Sequence, residues 1–305
     1  MSDGGATLSY TMPASIYKSP RGRAEVLRLY DEAVARLGVE HEDLTVGTRL
    51  GDTHVLAIGP EDAPPVLVLP GGNFLNPTCL GWFLPLAGDN RLYAPDIVGQ
   101  PGKSAQVRPR AGGYGHAWWV EDVLDGLGLE RPPFVGVSYG AGIALRTMGY
   151  APERVSRAAL VVPSGVATGS TRRMLAEVMV PMVLYRLRPT RERMLRAARP
   201  LLTEPDEDFA RQLGAVYRHV RLDVQLPRMA TPEELGVFRG PVAVFAAEDD
   251  PFFPAGAVLA RSRELFANLS RAECLEGCRH IPSSAALERV NREIRAFLQG
   301  PDAPR

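Results

Sequence analysis

Short runs that are apolar at every position, separated by helix-length segments, constrain this chain most. They are residues 66–69, 134–137, 158–162 and 242–246, with residues 92–94 as a further short candidate. A half-buried strand alternates apolar and polar residues. A strand covered on both faces does not, so these runs predict a parallel sheet between two helical layers. Residues 118–127 and 140–150 read as two of the covering helices. Ser19-Pro20 supplies a capping oxygen and a ring preset for the first turn, which predicts a helix to about residue 37. A hairpin follows, with strands near residues 44–49 and 53–58 and Gly51-Asp52 as its turn. The last helix carries Leu287, Val290, Ile294, Phe297 and Leu298 on one face and stops at Gly300-Pro301. Residues 1–14 read as a loose tail.

With 305 residues, the chain can bury roughly three quarters of its unfolded surface, so it needs neither a disulfide nor a metal for stability. Its 35 basic and 35 acidic side chains give zero net charge, which argues against nucleic-acid binding or a polybasic membrane surface. Cys79, Cys274 and Cys278 form no disulfide framework, and Cys274, Cys278 and His280 match no common zinc spacing. No basic-then-apolar leader opens the sequence, and the greasiest stretch, residues 174–187, is broken by Glu177 and Pro181. A cytoplasmic protein without membrane partners is expected. The oligomeric state is left open.

Residues 165–235 break the strand–helix alternation and read as helices alone. They hold five of the eight methionines, and Met174, Leu175, Val178, Met179, Met182 and Val183 form an apolar surface. Two readings fit: a helical subdomain with its own core, and a lid whose Met-rich face, Met179 included, roofs an apolar pocket. Residues 1–164 and 236–305 then form the two parts of the core domain.

Gly136-Val137-Ser138-Tyr139-Gly140 is G-x-S-x-G between an apolar strand and a small-residue helix. Such a turn lifts the serine hydroxyl clear of the sheet, toward helix N–H groups that favour negative charge. A serine needs a base. Of five histidines, only His280 falls between the last expected strand, residues 271–275, and the last helix. His116 reads as a surface or capping residue; His41, His54 and His219 read as structural or solvated. The base needs an acid to orient it, and Asp250 is the choice in Glu248-Asp249-Asp250-Pro251, with Asp249 and Glu248 as alternatives. Pro70-Gly71-Gly72-Asn73 suits an oxyanion loop, with the N–H groups of Gly72 and Tyr139 as donors. Asn73 either adds a side-chain amide or lines the pocket. Phe252 and Phe253 border the pocket or pack under the final helix. Gly102-Lys103-Ser104 is no P-loop, because Ile97 stands where that motif needs glycine.

As a set, APPVLVLPGG, APDIVGQPGKSA, GVSYGAG, APERV, AAEDDPFFP and CRHIP resemble the α/β-hydrolase superfamily over nearly the whole chain. More narrowly, LYDEA and THVLAIGPEDAPP resemble bacterial carboxylesterase-like hydrolases. Three departures stand out: Pro70 replaces the usual histidine, Ala247 replaces the usual glycine before the acid, and Gln100-Pro101 adds a residue to the D-x-x-G segment. The resemblance implies a mostly parallel sheet of about eight strands with a helical cap after the sixth. It also implies a cofactor-free serine hydrolase cleaving a small-molecule ester, thioester or related acyl substrate through Ser138, His280 and Asp250. A carbon–carbon bond hydrolase and a biosynthetic acyl-transfer or chain-release enzyme are alternatives with the same triad. A non-catalytic ligand-binding protein on this scaffold is the alternative of another class.

Overall fold

The computed structural model describes residues 15–109, 113–225 and 227–300; the expected tail, residues 1–14, lies outside them. Helix α1 (Pro20–Leu37) starts where expected, with Ser19 Oγ accepting from Gly22 N–H at 3.0 Å. The chain then runs through β1 (Glu42–Thr48), β2 (Gly51–Ile58), β3 (Pro65–Leu69), α2 (Asn76–Gly81), β4 (Arg91–Pro95), α3 (Gly115–Gly126), β5 (Phe134–Val137) and α4 (Tyr139–Tyr150). After β6 (Ala158–Val161) come α5 (Thr171–Met174), α6 (Val180–Leu187), α7 (Arg191–Ala198), α8 (Glu207–His219) and the short α9 (Pro232–Leu235). The chain closes with β7 (Val242–Ala247), α10 (Ala255–Leu265), β8 (Leu269–Leu275) and α11 (Ser284–Gln299).

The eight strands form one sheet in the order β1-β2-β4-β3-β5-β6-β7-β8. The β1–β2 and β2–β4 pairs are antiparallel and the rest parallel. The apolar runs split by alternation. Val66, Val68, Val135, Val137, Val161 and Phe245 face one core with α1, α2 and α11. Leu67, Leu69, Phe134, Leu160 and Val244 face the other with α3, α4 and α10. The two-sided covering explains why these strands lack polar alternation. From β3 the chain moves outward to β4 and then returns past β3 to β5, so connections leave these neighbours in opposite directions. Such a switch point opens a crevice at the C-terminal strand ends.

The hairpin turn differs from expectation. Thr48 pairs with Gly51, so Arg49-Leu50 makes the turn and Gly51 opens β2 with a φ of 98°. Side chains hold it: Thr48 Oγ1 bonds the Gly51 carbonyl at 2.6 Å, and the Arg49 guanidinium grips Asp122 of α3 at 2.7 and 2.8 Å.

Between β6 and β7 the described residues form no strand of the sheet. They build a third core, with Met182, Tyr185, Leu201, Phe209, Leu213 and Tyr217 inside it. Residues 175–179 make a π-helical turn ahead of Pro181, which has no N–H to continue the regular ladder. No helix among the described residues is long and apolar enough to cross a membrane.

Trp119 of α3 is fully buried, and its Nε1–H donates to Thr53 Oγ1 of β2 at 2.8 Å. Trp119→Ala is expected to cost about 3–5 kcal/mol, read as a shifted midpoint in urea denaturation.

Candidate active site

The sharp turn after β5 holds Ser138 at φ 48° and ψ −112°. Two glycines make it possible. A Cβ on Gly136 would stand 2.7 Å from Ala141 Cα, and one on Gly140 would meet the backbone carbonyls of Leu69 and Pro70. The turn is pinned from β6: Ser138 N–H donates to the Val161 carbonyl at 3.0 Å, and its own carbonyl accepts from Ser164 Oγ at 2.9 Å. Asn73 (φ 54°) and Val162 (φ 44°) share the left-handed region with Ser138. All three lie just past the C-terminal ends of β3, β5 and β6, and such strain gathers at functional sites.

His280 Nε2 lies 3.1 Å from Ser138 Oγ, and His280 Nδ1 lies 2.7 Å from Asp250 Oδ2. Asp250 is 1% exposed; its other oxygen accepts from Phe252 N–H at 2.7 Å, so the buried carboxylate is satisfied on both sides. Glu248 and Asp249 are exposed. Glu248 instead holds the β8 turn through Gly277 N–H at 2.8 Å. Residues of the inserted helical region fix the histidine loop. Ile281 N–H donates to the Leu201 carbonyl at 2.8 Å, and Arg279 N–H donates to Thr203 Oγ1 at 2.8 Å.

Gly72 lies against Tyr139, where an added Cβ would stand 2.9 Å from Tyr139 Cβ. Tyr139 N–H belongs to the first turn of α4, whose N–H groups have no partner within the helix. The two expected oxyanion donors are thus neighbours. The Asn73 side chain pairs with the backbone of Asp223. Its Nδ2 donates to the Asp223 carbonyl at 2.6 Å and its Oδ1 accepts from Asp223 N–H at 2.9 Å, leaving the amide committed to that backbone.

Phe252 and Phe253 pack on the His280 ring, at 5.0 and 5.8 Å between centroids. Neither lies under the final helix. Phe253, 2% exposed, belongs to the core of α3, α4 and α10, and half-buried Phe252 bridges that core to the inserted helices. Met179 packs half-buried against the same third cluster as Phe252.

His116 is half-buried rather than exposed. Its ring meets Trp119 and Tyr139 edge-on, and burial pushes its pKa down from 6.5 to about 4. His54 contacts Asp43 at 2.6 Å and Asp96 at 3.4 Å. Burial opposes its charge, but these carboxylates outweigh burial and raise its pKa. Asp96 organises the Gly102-Lys103-Ser104 loop: it accepts from Lys103 N–H at 2.7 Å, and its carbonyl accepts from Ser104 Oγ at 2.7 Å. Among the described residues no group of three His, Cys, Asp or Glu is placed to hold a metal ion, and all three cysteines are free.

His116 carries a pH signature. An unfolded chain takes up its proton below 6.5, while the folded ring refuses it until about 4. Its contribution to stability is therefore complete above 6.5 and lost as pH falls toward 4. His116→Gln should flatten the dependence of Tm on pH within that window, measured by thermal melts.

The alpha/beta hydrolase family profile matches residues 66–293, most of the chain. Carboxylesterase YbfK from Bacillus subtilis (strain 168) is 28% identical over 289 residues, covering 89% of this chain and 92% of that protein. The crystal structure of naproxen esterase from Bacillus subtilis superposes with a TM-score of 0.77 at 23% identity, covering 92% of this chain and all of that one. A 2-hydroxymuconate semialdehyde hydrolase from Pseudomonas putida is 44% identical over 80 residues, 25% of this chain and 27% of that protein. Fold, elbow and relatives agree: the chain belongs to the alpha/beta hydrolase family and is a carboxylesterase-like hydrolase.

Proposed function

We propose that the protein is a serine carboxylesterase that works through an acyl-enzyme on Ser138. The observation that carries this reading is the continuous line Ser138–His280–Asp250, at 3.1 and 2.7 Å. His280 Nε2 takes the Ser138 proton as Oγ attacks the ester carbonyl. Asp250 stays ionised, accepts from Nδ1–H and stabilises the imidazolium. The oxyanion rests on the N–H groups of Gly72 and Tyr139, where the loss of one donor typically costs about 3–4 kcal/mol of transition-state stabilisation. His280 then protonates the departing alcohol, and water releases the acid from the acyl-enzyme with His280 again as base. No cofactor takes part.

Residues 165–235 act as a cap in this reading. Their cluster reaches Phe74, Phe252 and Ile281 beside the triad, and Met179 brings an adaptable apolar side chain to that contact. The substrate is a small molecule with an apolar acyl part. Three free cysteines suit a reducing, cytoplasmic setting. The shared stretch with 2-hydroxymuconate semialdehyde hydrolase favours carbon–carbon bond cleavage as the second reading. Turnover of that semialdehyde at rates above those on simple esters would establish it.

A fluorophosphonate probe followed by intact mass should give one adduct on the wild type and none on Ser138→Ala; no adduct on folded wild type would overturn the esterase reading. Asp250→Asn should keep the fold and lower kcat by about 10⁴. A near-normal rate in ester hydrolysis would move the acid's role elsewhere.

A further inference from the structure

We infer that Gln100 and Asp223 are positioning residues that hold both halves of the oxyanion hole in register. The inference rests on reading the site as a serine esterase.

Gly71-Gly72 is the most permissive backbone in the site, so the Gly72 N–H does not fix its own direction. The next residue is tightly held. Asn73 N–H donates to Gln100 Oε1 at 2.7 Å, which fixes the Gly72–Asn73 peptide plane, the one next to the plane that carries the Gly72 N–H, and so limits how far Gly72 can turn. Gln100 is 5% exposed, and its Nε2 donates to Asp223 Oδ2 at 3.3 Å. Asp223 closes the ring, because the Asn73 side chain bonds its backbone N–H and carbonyl at 2.9 and 2.6 Å. The other half of the hole joins at the same oxygen: Tyr139 OH donates to Asp223 Oδ2 at 3.3 Å. Burial and then the Asp223 charge raise the Tyr139 pKa, so the phenol stays a donor.

One carboxylate therefore ties the residue after Gly72 to the residue after Ser138. It comes from outside the sheet, between α8 and α9. Arg108 adds a second strap across the same gap, with Nε donating to the Gly99 carbonyl at 2.9 Å and a terminal nitrogen donating to the Arg221 carbonyl. Gln100 stands in the segment that carries an extra residue relative to the family pattern, and Pro70 stands where that pattern has histidine. Both departures fall in this network or beside it. Neither Gln100 nor Asp223 is assigned contact with substrate; they act through Asn73 and Tyr139. Preorganised donors stabilise an oxyanion because nothing has to reorient as charge develops.

The test measures kcat and KM on p-nitrophenyl butyrate, the rate of fluorophosphonate adduct formation, and Tm. The proteins are wild type, Gln100→Ala, Asp223→Ala, Asp223→Asn and Tyr139→Phe. Gln100→Ala and Asp223→Ala should lower kcat by roughly 10–100-fold with KM changed less than about threefold, the mark of a contact expressed in the transition state. Adduct formation should slow in parallel, and Asp223→Asn, which keeps one acceptor oxygen, should recover most of the loss. If Asp223→Ala does not fold, Tyr139→Phe removes a single hydroxyl from the network and should still lower kcat severalfold at unchanged KM. Val224→Ala, at a neighbour 73% exposed, should leave both constants alone. Unchanged kcat in Gln100→Ala and Tyr139→Phe, or losses confined to KM, would overturn the inference. A wild type with neither turnover nor adduct would sink the esterase reading and this inference together. An active wild type with unaffected variants would sink this inference alone.

Discussion

The close crossing of α4 over the end of β3 governs the site. Gly140 stands so near the Leu69 and Pro70 carbonyls that no side chain fits between them. The helix can then start immediately after β5, and the turn that feeds it must take the left-handed conformation seen at Ser138. That conformation costs energy in a non-glycine residue. The Ser138 backbone offsets it through bonds to Val161, Ser164 and Gly142. The same crossing sets the N-terminal turn of α4 beside the loop that follows β3, so Ser138 and both candidate oxyanion donors share one crevice.

Burial of Asp250 is the second constraint. A carboxylate 1% exposed is tolerable only when its oxygens are satisfied and a positive partner can form nearby. Phe252 N–H takes one oxygen and His280 Nδ1 the other. Phe252 and Phe253 flank the same imidazole and limit water at the acid. In the proposed mechanism an imidazolium formed at His280 would have the Asp250 carboxylate beside it as counter-charge.

Much of this is legible in the sequence because the features are local. Two-sided strands declare themselves by unbroken apolar runs, and the glycines at positions 136 and 140 mark a crossing whose partners need not be known. Ser138 is singled out by G-x-S-x-G between a strand and a helix, and His280 by its place between the last expected strand and the last helix. The choice of Asp250 among three neighbouring acids leaves Glu248 and Asp249 open; burial sets Asp250 apart from these exposed two, and burial belongs to the fold. His116 misleads for the same reason, since its partner Tyr139 is distant in sequence. The hairpin is misplaced by sequence because a Gly-Asp pair outweighs a turn held by Thr48 and by Asp122 from another element. The pairing of Asn73 with Asp223 is invisible in the sequence because the two are 150 positions apart.

These distant pairings show how the inserted region and the sheet depend on each other. The region has its own apolar core; some of its polar contacts go to residues 15–18, Glu32 and Arg146, and others reach the loops that carry the site. Leu201 and Thr203 hold the loop of His280, and Asp223 holds Asn73 beside Gly72 and reaches Tyr139 beside Ser138. Displacing residues 201–203 would loosen the loop of His280, and displacing residue 223 would loosen the loop of Asn73, while the strands below kept their pairing. In the proposed mechanism the sheet supplies the nucleophile's strain, and the inserted region supplies restraint on the groups that must meet it. The region would then do more than cover substrate: its docking would set how well the hole matches a developing oxyanion.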